Sequence, residues 1–131
     1  MIGLDTNVLV RAFAGDEPRQ AAAAIRLLDA SERDSLFVNT VVLVEFAWTM
    51  RRAYRWDDEW VRIALNRVVE HPALVIQHRD SVLEAISNSD GASGGFADRL
   101  TGALNRDAGC ETTLTFDKDA ARDRDFREFS S

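Results

Sequence analysis

Four short segments that suit strands, Ile2–Leu4, Leu36–Val38, Leu74–Ile76 and Thr112–Thr115, are separated by stretches with helical periodicity. No other feature constrains the fold as much. A strand of three or four mostly apolar residues has no polar face to turn toward water, so it suits a sheet covered on both sides. Parallel neighbours in such a sheet need long crossovers, usually helices. The expectation is an α/β chain with helices on both faces of a mainly parallel sheet. In such sheets ligands bind beyond the carboxyl ends of the strands, so the residues just after each strand matter most.

Local signals place the helices. Thr6 or Asn7 can cap a helix through Val8–Phe13, and Gly15 breaks it. Asp16-Glu17-Pro18 starts a second helix, with proline in its first turn and an apolar stripe of Ala21, Ala24, Ile25 and Leu28. Asn39 or Thr40 caps a helix to about Tyr54, and Asp57 or Asp58 caps one to about Glu70, with Pro72 ending that region. Asp80 is expected to cap a helix to about Ser87, and Asn88–Gly95 reads as a loop. Phe96–Ala108 is helical, with Gly109 as its stop. Phe126–Phe129 is a short candidate for a fifth, edge strand.

With 131 residues the chain suits one domain spanning 1–131. A composition of 46% hydrophobic and 29% charged residues is that of a globular protein. The lone Cys110 excludes an internal disulfide and a cysteine-based zinc site, and suits a reducing cytoplasm. No apolar run approaches the length of a membrane span, so no membrane association is expected. A net charge of -6 argues against a broad phosphate-binding surface. It leaves open a cleft of carboxylates whose bound cations meet phosphate.

Four carboxylates lack local partners. Asp5 and Asp117 follow the first and fourth strands, where an aspartate is often only a helix cap. Glu45 lies in Val41-Val42-Leu43-Val44-Glu45-Phe46-Ala47-Trp48, and its helical neighbours Val41, Val42, Trp48 and Thr49 include no cation. It must bind something distant, either an arginine or an ion. Asp98 is flanked at helical spacing by Gly94, Gly95, Thr101 and Gly102, which leave room for a hydrated ion or substrate backbone, although a solvated first-turn aspartate explains it too. Like charges gathered in one cleft resist ionisation unless a cation joins them. Oxygen ligands without nearby histidine or cysteine select a hard ion, Mg²⁺ or Mn²⁺. Such ions activate water and support attack at phosphorus. Thr6, Asn7 and Thr115 supply short polar groups to orient the ligands.

The segments MIGLDTNVLVRAF, VVLVEFAW, FADRLTGALNRDAGC and TLTFDKDA resemble the four acidic motifs of PIN domains, and are most similar to the VapC-type toxins of type II toxin–antitoxin systems. The order and approximate spacing hold along nearly the whole chain. The resemblance implies a three-layer α/β/α fold with a four- to five-stranded sheet in the order 3-2-1-4-5. It implies an Mg²⁺- or Mn²⁺-dependent endoribonuclease that cuts structured RNA such as tRNA, forms a homodimer and is inhibited by a VapB-type antitoxin. Carried over by position, the catalytic and metal-binding acids are Asp5, Glu45, Asp98 and Asp117, with Asp119 able to replace or assist Asp117. RDFREFSS is short for a full fifth strand.

Other residues have plainer explanations. His71 and His78 lack metal-ligand spacing and suit loops or strand ends; Cys110 is expected to be buried and inert. Trp48, Trp56 and Trp60 could stack on bases, but core or subunit-interface packing is the expectation. A PIN-type binding module without catalysis would be signalled by loss of one acid, and all four are present. A receiver-like phosphoacceptor domain would place an aspartate after the third strand, where this chain has Gln77-His78. A haloacid dehalogenase-type phosphatase would need Asp-x-Asp in place of Asp5-Thr6-Asn7.

Overall fold

The structure, a computed structural model, describes residues 1–89 and 95–130. Most of the Asn88–Gly95 loop expected from sequence, and the Gly94 flank of Asp98, lie outside the described residues. The chain divides into two compact units, Met1–Arg79 and Asp80–Ser131.

In the first unit β1 (Ile2–Gly3), β2 (Leu36–Val38) and β3 (Leu74–Ile76) form a parallel ladder in the order β1-β2-β3. Ile2 registers with Leu36, and Phe37 with Val75. Four helices connect and follow these strands: α1 (Thr6–Ala14), α2 (Pro18–Ala30), α3 (Thr40–Arg52) and α4 (Asp58–Glu70). Their ends follow the local signals. Gly15 ends α1 at φ 72, Pro18 opens α2, the Asn39 side chain caps α3 through the Val42 amide, and Asp57 caps α4 through the Trp60 amide. The start of α1 differs from expectation: Asp5, not Thr6 or Asn7, is the cap. Leu9, Leu36, Val38, Leu43, Phe46, Met50 and Leu65 are essentially sealed from water and form this unit's core. Phe13 meets Phe46 edge to face at 5.4 Å, a preferred aromatic geometry.

In the second unit β4 (Thr113–Thr115) and β5 (Phe126–Glu128) pair in parallel, with Leu114 opposite Arg127. The fifth strand therefore forms despite its brevity. The unit also contains α6 (Phe96–Asp107), a 3-10 turn at Ala120–Arg122, and all of α5 (Arg79–Asn88) except its first residue. Asp80 falls in the first turn of α5 rather than capping it. Val82, Ala85, Ile86, Phe96, Leu100, Ala103, Ala120 and Phe126 are buried. The architecture is α/β with wholly parallel pairing, and the neighbours 3-2-1 and 4-5 are as expected.

Three expectations about burial are corrected. Ile2 is 65% exposed and Gly3 is exposed too, so β1 is not the buried strand that its apolar residues suggest. Cys110 is exposed, since it lies in the turn between α6 and β4. Trp48 and Trp60 are 60% and 59% exposed, which corrects the core half of their expectation and leaves the subunit-interface half standing. The Arg52 guanidinium lies over the Trp48 ring at 5.9 Å, so that ring has a partner on its own helix.

Among the described residues, no helix is long and apolar enough to cross a membrane.

Candidate active site

Asp5 stands where β1 gives way to α1, at the carboxyl end of its strand. Its Oδ1 accepts the Thr6 amide at 2.8 Å, which fixes one carboxylate oxygen at the helix start. The capping explanation for Asp5 is thus partly realised. The bond goes to the adjacent amide rather than to the second or third amide of the helix, where caps usually reach.

Glu45 projects from the middle of α3, where α3 packs against α1. Its Oε2 accepts a hydrogen bond from the Thr6 hydroxyl at 3.0 Å. Thr6 is itself buried. Thr6 therefore touches both acids, Asp5 through its amide and Glu45 through its hydroxyl. No arginine, lysine or histidine pairs with Glu45 among the described residues. Glu45 is also exposed, so no ion pair explains it, and the expectation that it must bind something distant is corrected: water reaches its carboxylate. Asn7 is exposed and makes no side-chain hydrogen bond among the described residues.

A separate charge cluster ties α1 to the end of α3. Arg11 contacts Asp16 at 3.2 Å and donates to the Tyr54 hydroxyl at 3.1 Å; that hydroxyl donates to Asp16 at 2.7 Å. The Tyr54 hydrogen bond holds the Asp16 carboxyl below its ordinary range, and the same bond raises the Tyr54 phenol.

In the second unit Asp98 sits half-buried in the first turn of α6. It has no ion-pair partner among the described residues. The room expected beside it from Gly102 is used differently. A Cβ on Gly102 would come 2.6 Å from Phe126 Cε2 and 3.2 Å from Asp125 Cβ, so this glycine lets α6 approach the start of β5.

Asp117 is exposed just beyond β4. Its Oδ1 accepts the amides of Asp119 at 2.8 Å and Ala120 at 3.3 Å, and its own amide donates to the Thr115 hydroxyl at 3.0 Å. Thr115 thus holds the backbone at Asp117. Asp119 lies near Arg122 at 3.9 Å, and both are well exposed.

Sequence reasoning missed Arg99 and Asp123. Arg99 is buried, contacts the Asp123 carboxylate, and stacks over the Phe126 ring at 5.3 Å. The contact with Asp123 is one of charge, without hydrogen-bond geometry; the guanidinium has no hydrogen-bond partner among the described residues. Two turns along the same helix, Arg106 pairs with Glu84 at 2.5 Å and with Asp125 at 2.8 Å. The hydrogen bond that Arg106 donates to Glu84 raises the Arg106 pKa further. The available signal was arginines seven apart on a helix, followed by two aspartates two apart.

The donor chemistry of these acids fits a hard divalent ion, because every polar atom their side chains present is a carboxylate oxygen and Glu45 has no competing cation among the described residues. Among the described residues no three acidic, histidine or cysteine side chains converge closely enough to hold an ion by themselves. What the structure brings together is Asp5, Thr6 and Glu45 in one unit, and the Thr115–Asp117 turn in the other.

No curated protein matches this chain. The family model of the PIN domain matches residues 2–126, nearly its whole length and both units. The chain therefore belongs to the PIN-domain family.

Proposed function

We propose that this protein is an Mg²⁺- or Mn²⁺-dependent endoribonuclease, a VapC-type toxin that cuts structured RNA such as tRNA and is held inactive by a VapB-type antitoxin. PIN domains are generally nucleases, which supports the reaction class. The observation that carries the reading is the Thr6–Glu45 hydrogen bond. A carboxylate held by a neutral hydroxyl, with Asp5 one residue from that hydroxyl, has no cation competing with a ligand for it among the described residues.

In this reading Asp5, Glu45, Asp98 and Asp117 are the metal ligands, with Asp119 available to assist Asp117. A bound divalent ion supplies charge neutralisation for the phosphodiester and lowers the pKa of the attacking water. Thr6 holds the Glu45 carboxylate in place, and Thr115 sets the backbone of Asp117. Partners of this kind to metal ligands typically contribute about 10–100-fold in affinity or activity. The exposed Trp48 and Trp60 provide apolar surface for a second copy of the chain in a homodimer. The proposed location is the cytoplasm.

The test is cleavage of a folded RNA by purified protein with Mg²⁺, with Mn²⁺, and after exhaustive chelation. Internal cuts that require the ion are expected. Cleavage that persists under chelation, or that only Zn²⁺ supports, contradicts the proposal, because zinc sites usually include nitrogen or sulfur ligands.

A further inference from the structure

Two of the proposed ligands, Asp98 and Asp117, lie in the second unit on different segments. Asp98 is on α6, and Asp117 precedes the 3-10 turn that leads toward β5. Three side-chain links join α6 to the β4–β5 region. Asn105 Nδ2 donates to Thr113 Oγ1 at 2.9 Å, Arg106 grips Asp125, and Arg99 pairs with Asp123. The first two act in the last turn of the helix. Only Arg99 acts at the end that carries Asp98, among the described residues, and it follows Asp98 directly in sequence.

Burial gives this link its force. Arg99 is 4% exposed, with its guanidinium over Phe126 and against Asp123. Charge attraction is screened little in such a place. Asp123 is fixed from its other side as well, because its Oδ1 accepts the Asp125 amide at 2.8 Å. Between Asp117 and Asp123 the backbone is short and bonded throughout. Ala121 donates to Asp117, Arg122 to Asp119 and Asp123 to Ala120. Ala120, at the centre of the turn, is buried. Anchoring Asp123 therefore fixes the turn that Asp117 caps. Gly102 permits the close approach this arrangement requires.

We infer that Arg99 and Asp123 form a positioning pair that sets the Asp117 turn against the Asp98 end of α6. The inference rests on the proposal that these two acids bind a divalent ion. The pair touches neither ion nor RNA and acts through the backbone of its neighbours. It turns a buried charge, costly in itself, into a fixed spacing between two ligand-bearing segments.

The test uses the full chain in three variants. Asp123→Asn removes the anion. Arg99→Met with Asp123→Leu replaces the pair by apolar groups of similar size, a change that often restores stability when a buried ion pair is lost. Asp125→Asn is the control at the far end of α6, where Arg106 keeps Glu84. The measurements are Mn²⁺ affinity by titration and thermal melting in EDTA. Asp123→Asn is expected to weaken Mn²⁺ binding about tenfold or more, the usual scale for losing a group that orients a ligand. Asp125→Asn is expected to change it less than about twofold, in keeping with a charge pair remote from Asp98. The apolar pair is expected to melt near wild type and still bind Mn²⁺ weakly. Wild-type affinity in a folded Asp123→Asn protein, or recovery of both melting and affinity in the apolar pair, overturns the inference. So does failure of both variants to fold, since the pair then serves the fold alone. If the wild type itself takes up no Mn²⁺, the proposed function falls, and amide exchange across residues 117–122 decides the pair. Faster exchange there in the apolar pair supports the positioning role, and unchanged exchange refutes it.

Discussion

The Thr6 hydroxyl donates to the Glu45 carboxylate at 3.0 Å across 39 residues of sequence, and the same Thr6 gives its amide to Asp5. One buried threonine thus coordinates the two acids of the first unit. Its hydroxyl satisfies one lone pair of Glu45 and leaves the charge in place. An arginine at that position would have cancelled it.

Thr6→Val tests this bond with little change of volume. A hydrogen bond to a charged acceptor is worth up to about 1.5–3 kcal/mol, less where water can replace the donor. Because Glu45 is exposed, a loss of about 1 kcal/mol is expected, read from the urea midpoint. RNA cleavage should fall about tenfold or more. Thr6→Ser should keep most of both. Full activity in Thr6→Val would remove Thr6 from any supporting role.

Asp98→Asn should leave folding intact and remove most cleavage. Asp98 is half-buried and has no cation to lose among the described residues. Its melting point should therefore stay close to wild type, as is usual away from packed or paired positions. Loss of directed charge at a reacting phosphate typically costs about 10²–10³ in rate. Near-normal turnover would make Asp98 a helix-dipole residue and nothing more.

Gly102→Ala should destabilise the chain. Alanine is better than glycine in a helix interior by about 1 kcal/mol, but here its Cβ would meet Phe126 at 2.6 Å and Asp125 at 3.2 Å. Overpacking of this kind typically costs about 1–3 kcal/mol, so the net sign is a loss. Gly3→Ala, with nothing within 4 Å, is the control. A gain in melting temperature for Gly102→Ala would refute the close approach of α6 to β5.

Much of this was legible because it is local. Asn39, Asp57, Pro18 and Gly15 occupy helix ends by rules that span four residues or fewer. Glu45 could be singled out because helical spacing alone showed that it had no near cation. What escaped depends on distant segments. Nothing around Arg99 says that it is buried, since its partners Asp123 and Phe126 lie more than twenty residues away. Gly102 beside Asp98 suggested space for an ion, but the space belongs to Phe126. Trp48 and Trp60 suggested packing, and helical period alone does not say whether a tryptophan faces its own core or outward.

Tyr54→Phe should weaken the tie between α1 and the end of α3 in a pH-dependent way. The Tyr54 hydrogen bond lowers the Asp16 pKa in the folded chain. A depressed carboxylate stabilises above its unfolded pKa, and that contribution is lost as pH falls through the folded value. The phenol is shifted the opposite way, so its contribution is lost as pH rises past the ordinary tyrosine range. The melting difference between wild type and Tyr54→Phe should therefore be largest near neutral pH and shrink toward both extremes. A difference independent of pH would place Tyr54 in packing alone.

The most direct test of the metal site is a melting curve of wild type and Glu45→Gln, each in EDTA and in excess Mg²⁺. Glutamine keeps an oxygen for the Thr6 hydroxyl and removes the charge. If Glu45 is a metal ligand, the variant should melt in EDTA at or slightly above wild type, because one of several like charges is gone. Mg²⁺ should raise the wild type and leave the variant unmoved, since ligand-linked stabilisation needs a site. If Glu45 were only a solvated surface carboxylate, the change would stay within about 0.5 kcal/mol and Mg²⁺ would shift both proteins alike. An Mg²⁺ shift that survives in Glu45→Gln, or no Mg²⁺ shift in the wild type, would contradict the assignment.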